Sequence, residues 1–513
     1  MGHRCEHSCM NRRRFLELSA LGVAAIQLPF GPKLFASENA AWDPHVPPVN
    51  PGLPLRVQPV LLYEVAQRRP TTSWRSWGGI HSEQDAAEEL GRIAEEWKAL
   101  ASRAEFPLRF LPAVRIKSKE EAAAIRDAEG YDTAVVYAAG GWVDALEACF
   151  SEKRNNLIFL RHKSGPVYLW YEIVHNRFLR QGGEGLELDQ FRYPSGMTVD
   201  DVVVDDPDEL LTKLRTLYAV KNFTGKRIVA LGGSGGWCCP PAPSISQGKF
   251  KIDIQSVPYD DLAKRILSAK SDRSVQDRAL KSADVYLGLK RTRLETEKKF
   301  VVNAFVLHGL IQDIMREHDT DAFTINNCMD TVIPMAETTA CLPLSLLNDE
   351  GAMAFCESDF NVIPSGILLR YITGKPVFLN DPTYPHHDMV TVAHCTAPRR
   401  MDGKNWAFAR ILTHFESDYG AAPKVELPRG TRISMVCPDG GQMKWVGFTG
   451  TVEDNPFLDI CRTQFDVRID GDWKKLLRDH RGFHWMMAVG DAMKEMEYAC
   501  AKIGVEWENT SEA

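Results

Sequence analysis

Apolar residues along the chain alternate between short runs typical of buried strands and the spacings of three and four typical of helices. RVQPVLLYEV predicts a strand, and the following WRSWGGIHSEQDAAEELGRIAEEWKAL carries apolar residues at helical spacing. TAVVYAAGGW, NNLIFLRH and PVYLWYEIV predict further strands between helical stretches. This alternation predicts an N-terminal α/β domain with a largely parallel sheet over residues 56–220.

A second α/β domain is predicted over residues 221–345. It begins with a strand, Arg227–Leu231, that runs into the glycine-rich sequence GGSGG. Such a loop can hold a phosphate when a helix follows directly, but Trp237, two cysteines and two prolines follow here. The pattern therefore gives little support to a nucleotide site. Helices are predicted from Tyr259 to His318, ahead of the strand DAFTIN.

The C-terminal domain, residues 346–513, is predicted to combine an α/β part with a small, mostly antiparallel β portion. TRISMVCP, MKWVGFTGTVED and CRTQFDVRIDG predict short strands, and the last helix is predicted from about Asp491 to Ile503 with Gly504 as its cap. The predicted fold is thus α/β, with two Rossmann-like domains followed by this C-terminal domain.

Basic and apolar residues near the amino terminus predict an export signal. RRRFL (residues 12–16) precedes a weakly apolar run and small residues, and its Arg-Arg-x-Phe-Leu pattern resembles the twin-arginine type. Residues 1–41 are therefore predicted to be a signal that directs the protein to the periplasm, and residues 42–55 a proline-rich linker. The alternative is a basic tail on a cytoplasmic protein.

Composition excludes several classes of protein. The 513 residues carry a formal charge of −7, which gives no basic footprint for nucleic acid. No apolar run approaches the roughly 20 residues of a membrane span. The twelve cysteines are scattered, so they predict neither a zinc site nor a disulfide framework, and most are expected to be buried apolar side chains.

Four carboxylates and three histidines fall within the forty residues 356–395. AMAFC predicts a strand that leads into Glu357, a mostly apolar helix follows, and PVFLN predicts a second strand that leads into Asp381. A strand–helix–strand crossover predicts that these strands are parallel neighbours with both carboxylates at one sheet edge. MVTVA predicts a third strand, which ends at His394.

Two carboxylates and an imidazole at neighbouring strand ends predict a divalent-metal site. Mixed oxygen and nitrogen ligands suit Mn²⁺, Fe²⁺, Co²⁺ or Mg²⁺ better than a structural zinc site. The alternative is that these charged residues end their strands in solvated loops. Asp359, His386 and His387 are predicted to support the ligands or to lie in solvent. Cys356 and Cys395 are predicted to point to the opposite face and pack there.

These motifs resemble the L-fucose isomerase and L-arabinose isomerase superfamily of metal-dependent aldose–ketose isomerases. An apolar strand with Glu-x-Asp, a helix, Thr-Gly and a strand with Asp-x-Thr-Tyr carry the resemblance, here Glu357, Asp359, Asp381 and Tyr384. VAHC resembles the strand with a ligand histidine in the arabinose branch, here His394, and GFHWMMAVGD resembles a late histidine motif, here His484. The resemblance is clearest over residues 320–510.

The resemblance implies isomerisation of a free sugar, such as L-fucose or L-arabinose, through an enediol. Glu357 and Asp381 would be both metal ligands and acid/base groups, and His394 and His484 would complete the ligand set around Mn²⁺ or another divalent ion. Relatives often carry two adjacent histidines at the late motif, whereas this chain has Trp485 after its histidine. A homo-oligomer, such as a hexamer, is also implied, in which the first domain of one subunit closes the neighbouring site.

Trp74, Arg75 and Trp77 are predicted to stack on the sugar and to bind its hydroxyls, with ordinary packing at a domain edge as the alternative. Two other functions fit parts of the sequence. An exported sugar-binding protein without catalysis would also use paired α/β domains. A nicotinamide-dependent sugar oxidoreductase would use the GGSGG loop, but the helix and the acidic residue expected after such a loop are missing.

Overall fold

The computed structural model describes residues 41–49, 52–179, 197–479 and 482–512, so the predicted signal lies, except for residue 41, outside the described residues. The predicted mixed α/β class is confirmed. Two parallel sheets are followed by a closed antiparallel barrel and a separate three-stranded sheet. No helix in the described ranges is long and apolar enough to cross a membrane.

The first parallel sheet has the strand order β2-β1-β4-β5-β6, with β3 also paired to β1. Its strands are β1 (Leu55–Leu62), β2 (Leu108–Phe110), β3 (Val114–Ile116), β4 (Thr133–Ala138), β5 (Asn155–Leu160) and β6 (Val202–Val204). The α-helices of this part are Glu83–Arg103, Lys119–Asp127, Val143–Ala148, Trp170–Val174 and Pro207–Phe223, with a π-helical turn at His175–Leu179 and a 3₁₀ turn at Val199–Asp201.

The prediction of a strand at PVYLWYEIV is wrong, because this segment enters the Trp170–Val174 helix and the π-helical turn after it. Trp170, Val174 and Phe178 are buried and lie four residues apart. That spacing places the three side chains on one helical face, so a helix buries the apolar residues of this run.

The second parallel sheet begins at the predicted Arg227–Leu231 strand and has the order β11-β10-β7-β8. Its strands are β7 (Arg227–Leu231), β8 (Asp253–Val257), β10 (Ala322–Ile325) and β11 (Met353–Phe355). The helices of this part are Ala242–Phe250, Tyr259–Ser271, Arg273–Leu287, Lys298–Glu317, Cys328–Ala336 and Cys341–Asp349. The helical region predicted between Tyr259 and His318 is therefore confirmed.

The antiparallel part of the C-terminal region closes into a barrel. Its strands are β12 (Phe378–Pro382), β13 (Met389–His394), β16 (Arg432–Pro438), β17 (Lys444–Asp454), β18 (Thr463–Ile469) and β19 (Trp485–Val489). β16 pairs with both β19 and β17, which joins the two ends of the sheet. β20 (Glu506–Asn509) extends β17 in parallel, and β9 (Thr292–Leu294), β14 (Phe408–Leu412) and β15 (Ala422–Glu426) form the three-stranded sheet. The remaining helices are Ile363–Thr373, Trp473–Asp479 and Met493–Ile503.

The predicted parallel pairing of the strands before Glu357 and Asp381 is wrong. β11 pairs with β10 in the second parallel sheet, whereas β12 pairs in antiparallel fashion with β13 and β19 of the barrel. The Ile363–Thr373 helix between them is buried from its first residue to Ile372, because it packs against strands of both sheets. A helix that covers one face of one sheet would expose its other side.

Residues 42–49 of the predicted linker lie against the body of the protein. The Trp42 ring meets Tyr286 and Trp406 edge-on, each with ring centroids 5.5 Å apart. The Val49 N–H donates to the Glu350 carbonyl oxygen at 2.9 Å. These residues are therefore part of the folded structure.

Candidate metal centre

The four predicted ligands converge where the second parallel sheet meets the barrel. Glu357 follows β11, Asp381 lies in β12, His394 ends β13 and His484 precedes β19. His394 Nε2 lies 3.3 Å from Glu357 Oε1. His484 Nε2 lies 3.3 Å from Glu357 Oε2 and 3.2 Å from Asp381 Oδ1. The structure thus brings together side chains that are up to 127 positions apart in the sequence.

Three buried atoms of this cluster have no hydrogen-bond partner: Asp381 Oδ1, His394 Nε2 and His484 Nε2. Their close contacts have the distances of ion pairs but not the geometry of hydrogen bonds. Asp381, His394 and His484 each offer one ligand atom within 4.8 Å of the others. Because buried polar atoms normally have partners, three converging ones fit a cation that accepts their lone pairs.

The imidazoles and the carboxylates differ in exposure. The side chains of His394 and His484 are 4% and 0% exposed, whereas those of Glu357 and Asp381 are 32% and 34% exposed. The two histidines therefore lie at the bottom of the cluster, and the two carboxylates face its opening. A ligand that enters from solvent meets the carboxylates first.

The backbone at Glu357 is held in a strained turn. Glu357 and Ser358 have φ values of +63° and +46°, a left-handed conformation that residues other than glycine rarely adopt. The Ser358 N–H donates to Thr324 Oγ1 at 3.1 Å, and the Ser358 carbonyl oxygen accepts from the Gly235 N–H at 3.0 Å. β10 and the GGSGG loop therefore hold the turn that aims Glu357 into the cluster.

Asp359 is fully buried and supports His484. Its Oδ2 lies 2.8 Å from His484 Nδ1, and its Oδ1 accepts from the N–H groups of Trp237 and Asn361 at 3.2 and 3.1 Å. Because Nδ1 is engaged by a carboxylate, His484 directs Nε2 toward Glu357 and Asp381. Of the two roles predicted for Asp359, the structure supports the contact with a ligand.

Charge is unevenly distributed over the cluster. Burial alone would raise the pKa of Glu357, but the imidazoles of His394 and His484 outweigh it and hold that pKa well below its usual range. For Asp381 burial prevails and the pKa is raised, with repulsion from Glu357 adding to the effect. Burial would lower the pKa of both imidazoles, yet the surrounding carboxylates raise it, in His484 to about 10. The surrounding carboxylates therefore favour the protonated form of both imidazoles.

The other predicted polar residues of the forty-residue stretch lie outside the cluster. His386 and His387 are exposed, and their rings meet each other with centroids 5.4 Å apart. His386 Nδ1 lies 2.9 Å from the carbonyl oxygen of Tyr384, whose side chain is also exposed. These residues form a solvated loop between β12 and β13.

Trp74, Arg75 and Trp77 lie between β1 and the Glu83–Arg103 helix. The Arg75 guanidinium stands 5.3 Å from the centre of the Trp74 ring, and Trp77 is 66% exposed. Within the described part of the chain, no hydrogen bond, ion pair or ring contact joins the three residues to the four ligands. The role of Trp74, Arg75 and Trp77 in sugar binding therefore stays a prediction.

Two aromatic residues outside the predicted set flank His484. The rings of Trp237 and Phe483 stack with centroids 5.1 Å apart and an interplanar angle of 9°. Each meets the His484 ring edge-on, at 5.8 and 4.9 Å. Phe483 is next to a predicted ligand in the sequence, which is a signal that could have identified it. Trp237 gives no such signal, because the glycine loop before it meets the turn at Glu357 only in the folded protein.

The prediction that Cys356 points away from the ligands is wrong. Its Sγ, a Glu357 oxygen and a His394 nitrogen all lie within 4.8 Å of one another. The left-handed turn at Glu357 breaks the strand alternation that would send neighbouring side chains to opposite faces. Five of the ten described cysteines, all free, contact one another in two groups: Cys328 with Cys356, and Cys395 with Cys341 and Cys461.

Comparison with protein-family models and with curated proteins found no match for this chain. The function is therefore inferred from the geometry of the cluster and from the motifs that carry the resemblance.

Proposed function

We propose that this protein is a metal-dependent aldose–ketose isomerase that acts on a free sugar such as L-fucose or L-arabinose. The observation that carries the proposal is the convergence of Glu357, Asp381, His394 and His484, with three buried atoms that lack partners. The same four residues are the ones that the resemblance to the fucose and arabinose isomerases implies.

The four side chains would hold a divalent cation, with Mn²⁺ as the first choice and Co²⁺, Fe²⁺ or Mg²⁺ as alternatives. When bound, such a cation polarises the carbonyl of the sugar and stabilises the negative charge that develops on oxygen. Asp359 fixes the orientation of His484 through Nδ1, and the strained turn fixes that of Glu357. The ligand set is thus arranged by contacts within this chain.

Glu357 and Asp381 would also transfer the proton between C2 and C1. They reach the cluster from different sheets, and each is about one third exposed toward the opening. A sugar between them would have a carboxylate near each carbon. One carboxylate takes the C2 proton and returns it to C1, which converts the aldose to the ketose through an enediol.

The GGSGG loop favours isomerisation over nicotinamide-dependent oxidation. The Gly235 N–H donates to the Ser358 carbonyl oxygen, and the Gly235 carbonyl oxygen accepts from the Phe360 N–H, both at 3.0 Å. The Trp237 N–H is engaged by Asp359. Backbone donors that a phosphate would need are therefore used to hold the turn that carries Glu357.

The proposal includes the organisation of the whole protein. The two parallel sheets are proposed to be Rossmann-like domains, and residues 1–41 a twin-arginine-type signal for export to the periplasm. A homo-oligomer is proposed in which the first domain of one subunit approaches the site of another.

Proton NMR tests the proposed reaction. The full-length chain is incubated with Mn²⁺ in D₂O and with L-fucose, L-arabinose, D-arabinose, L-rhamnose or D-xylose, and the ions are removed on a chelating resin before spectra are recorded. We expect at least one sugar to yield its ketose with deuterium at the transferred position, because the carboxylate exchanges its proton with solvent. Protein that binds metal but yields neither ketose nor deuterium incorporation contradicts the proposal.

A further inference from the structure

Trp237 and Phe483 form an exposed aromatic surface next to His484 of the candidate metal centre. Although their rings stack on each other, they remain 58% and 45% exposed. Both rings also touch His484, whose Nε2 faces Glu357 and Asp381. An apolar surface that is continuous with a cluster of convergent polar atoms is the arrangement found in small-molecule sites.

The backbone fixes the positions of both rings. The Trp237 N–H donates to Asp359 Oδ1 at 3.2 Å, and the same carboxylate contacts His484. A Cβ on Gly236 would collide with the Cys239 carbonyl oxygen, so the tight turn that presents Trp237 requires glycine. Gly482, immediately before Phe483, has a φ of +66°, which also favours glycine. The aromatic pair is thus held in place before a ligand arrives.

We propose that the Trp237–Phe483 pair is the surface on which the substrate stacks, and that the substrate is a neutral sugar. A sugar combines a face of C–H groups, which packs on aromatic rings, with hydroxyl edges that can reach the polar cluster. This inference rests on the proposed function and adds the residues that would hold the sugar beside Glu357 and Asp381.

The charge of the cluster favours a neutral sugar over a sugar phosphate. The carboxylate side chains of Glu357, Asp359 and Asp381 all lie within 3.3 Å of His484 nitrogens. An anion that stacks next to His484 would approach this negative field at close range and be repelled.

Polyol binding measured by isothermal titration calorimetry tests the inference without requiring turnover. L-Fucitol and L-arabitol, which cannot isomerise, are titrated into the Mn²⁺-loaded full-length chain and into Trp237→Ala, Trp237→Phe and Phe483→Ala. Each alanine variant is expected to bind polyol about ten-fold more weakly, in line with the loss of one aromatic contact. Trp237→Phe should keep most of the affinity, and Mn²⁺ affinity should stay unchanged in all three.

Trp142→Ala is the matched control, because Trp142 is a highly exposed tryptophan in the first domain. Unchanged polyol affinity in both alanine variants overturns the inference, even if the wild type isomerises sugars. The inference is also overturned if the wild type binds no neutral sugar or polyol. It is overturned as well if Trp237→Ala changes the oligomeric state and leaves polyol affinity as it was. Ring-dependent polyol binding in a protein that yields no ketose supports the aromatic surface and contradicts the isomerase proposal alone.

Discussion

The turn at Glu357–Asp359 and the segment Trp74–Trp77 both follow a strand of a parallel sheet, and both carry side chains suited to a sugar site. At the first, Glu357 contacts His394 at the end of β13 and His484 just before β19, and Asp359 is buried against His484. At the second, Arg75 lies over Trp74, and Trp77 remains mostly exposed. The first is built from distant elements, whereas the second contacts its own neighbours.

The difference shows what marks a chemical site in this molecule. Residue type and position after a strand are shared by both segments, so neither property distinguishes them. Glu357 has a φ of +63° in a strained turn, and it lies beside His394 and His484, whose buried Nε2 atoms lack hydrogen-bond partners. Such features cost stability and persist where function requires them.

The largest effect is expected from Glu357→Gln, which removes a ligand charge and an acid/base group from the first segment. Turnover in the NMR assay should fall by about 10²- to 10⁴-fold. Melting followed by circular dichroism should show that the fold is retained. Glu350→Gln is a matched control, because Glu350 Oε1 lies 3.1 Å from His308 Nε2 outside the cluster. If Glu357→Gln turns over sugar at nearly the wild-type rate, the Glu357–Asp359 turn is not the chemical site, and it no longer differs from the Trp74–Trp77 segment in that respect.

A smaller effect is expected from Asp359→Asn, which leaves the shape of the side chain but removes the negative partner of His484 Nδ1. Loss of such a supporting carboxylate typically weakens metal binding by about 10- to 100-fold. Calorimetric titration with Mn²⁺ measures the change. Asp201→Asn is the control, since Asp201 is equally buried but bonds to Tyr498 and Lys502 away from the cluster. Equal Mn²⁺ affinity in the two variants would argue against a supporting role for Asp359.

The pH dependence of Mn²⁺ binding tests whether His484 carries a proton in the metal-free protein. The carboxylates raise the pKa of His484 from its ordinary 6.5 to about 10, so the metal-free protein holds a proton that the cation must displace. Mn²⁺ affinity should therefore rise with pH between about 6.5 and 10, by roughly ten-fold per pH unit for each displaced proton. Titrations in buffers of different ionisation enthalpy count the protons released, and binding without proton release would contradict the assignment.

The smallest effect is expected from Trp77→Ala, in the second segment. Turnover and polyol affinity should stay within about two-fold of the wild type, since substitutions at exposed positions away from a site usually change little. A ten-fold loss of turnover or polyol affinity in Trp77→Ala would show that the Trp74–Trp77 segment also belongs to the site. Such a loss, if it followed dissociation of the oligomer, would place Trp77 at the site of a neighbouring subunit.

Much of the local structure could be predicted from the sequence. Short apolar runs located the strands that lead to Glu357, Asp381 and His394, because a buried strand needs few polar residues. Sheet partners could not be predicted in the same way. Arg370 is the one charged residue of the Ile363–Thr373 helix, and such a mostly apolar helix indicates burial between two sheets and a change of sheet between β11 and β12.

Contacts between distant segments leave no periodic pattern of apolar residues in the sequence, so they could not be predicted from it. Trp237 reaches His484 only because Gly235 pairs with the turn after β11, an arrangement that the glycine loop alone does not reveal. Cys356 joins the cluster because the left-handed turn at Glu357 interrupts the alternation of the strand. Both features depend on backbone conformation at a few residues, which apolar spacing does not encode.

Binding of Mn²⁺ measured by electron paramagnetic resonance tests the central claim most directly. The signal of free Mn²⁺ is followed while the chelator-treated full-length chain, or its His484→Gln variant, is added. If the four side chains form one metal centre, the wild type should remove a single Mn²⁺ ion per chain from solution, and the variant should bind at least about ten-fold more weakly. A free signal unchanged by the wild type, or equal binding by the two proteins, would contradict the account.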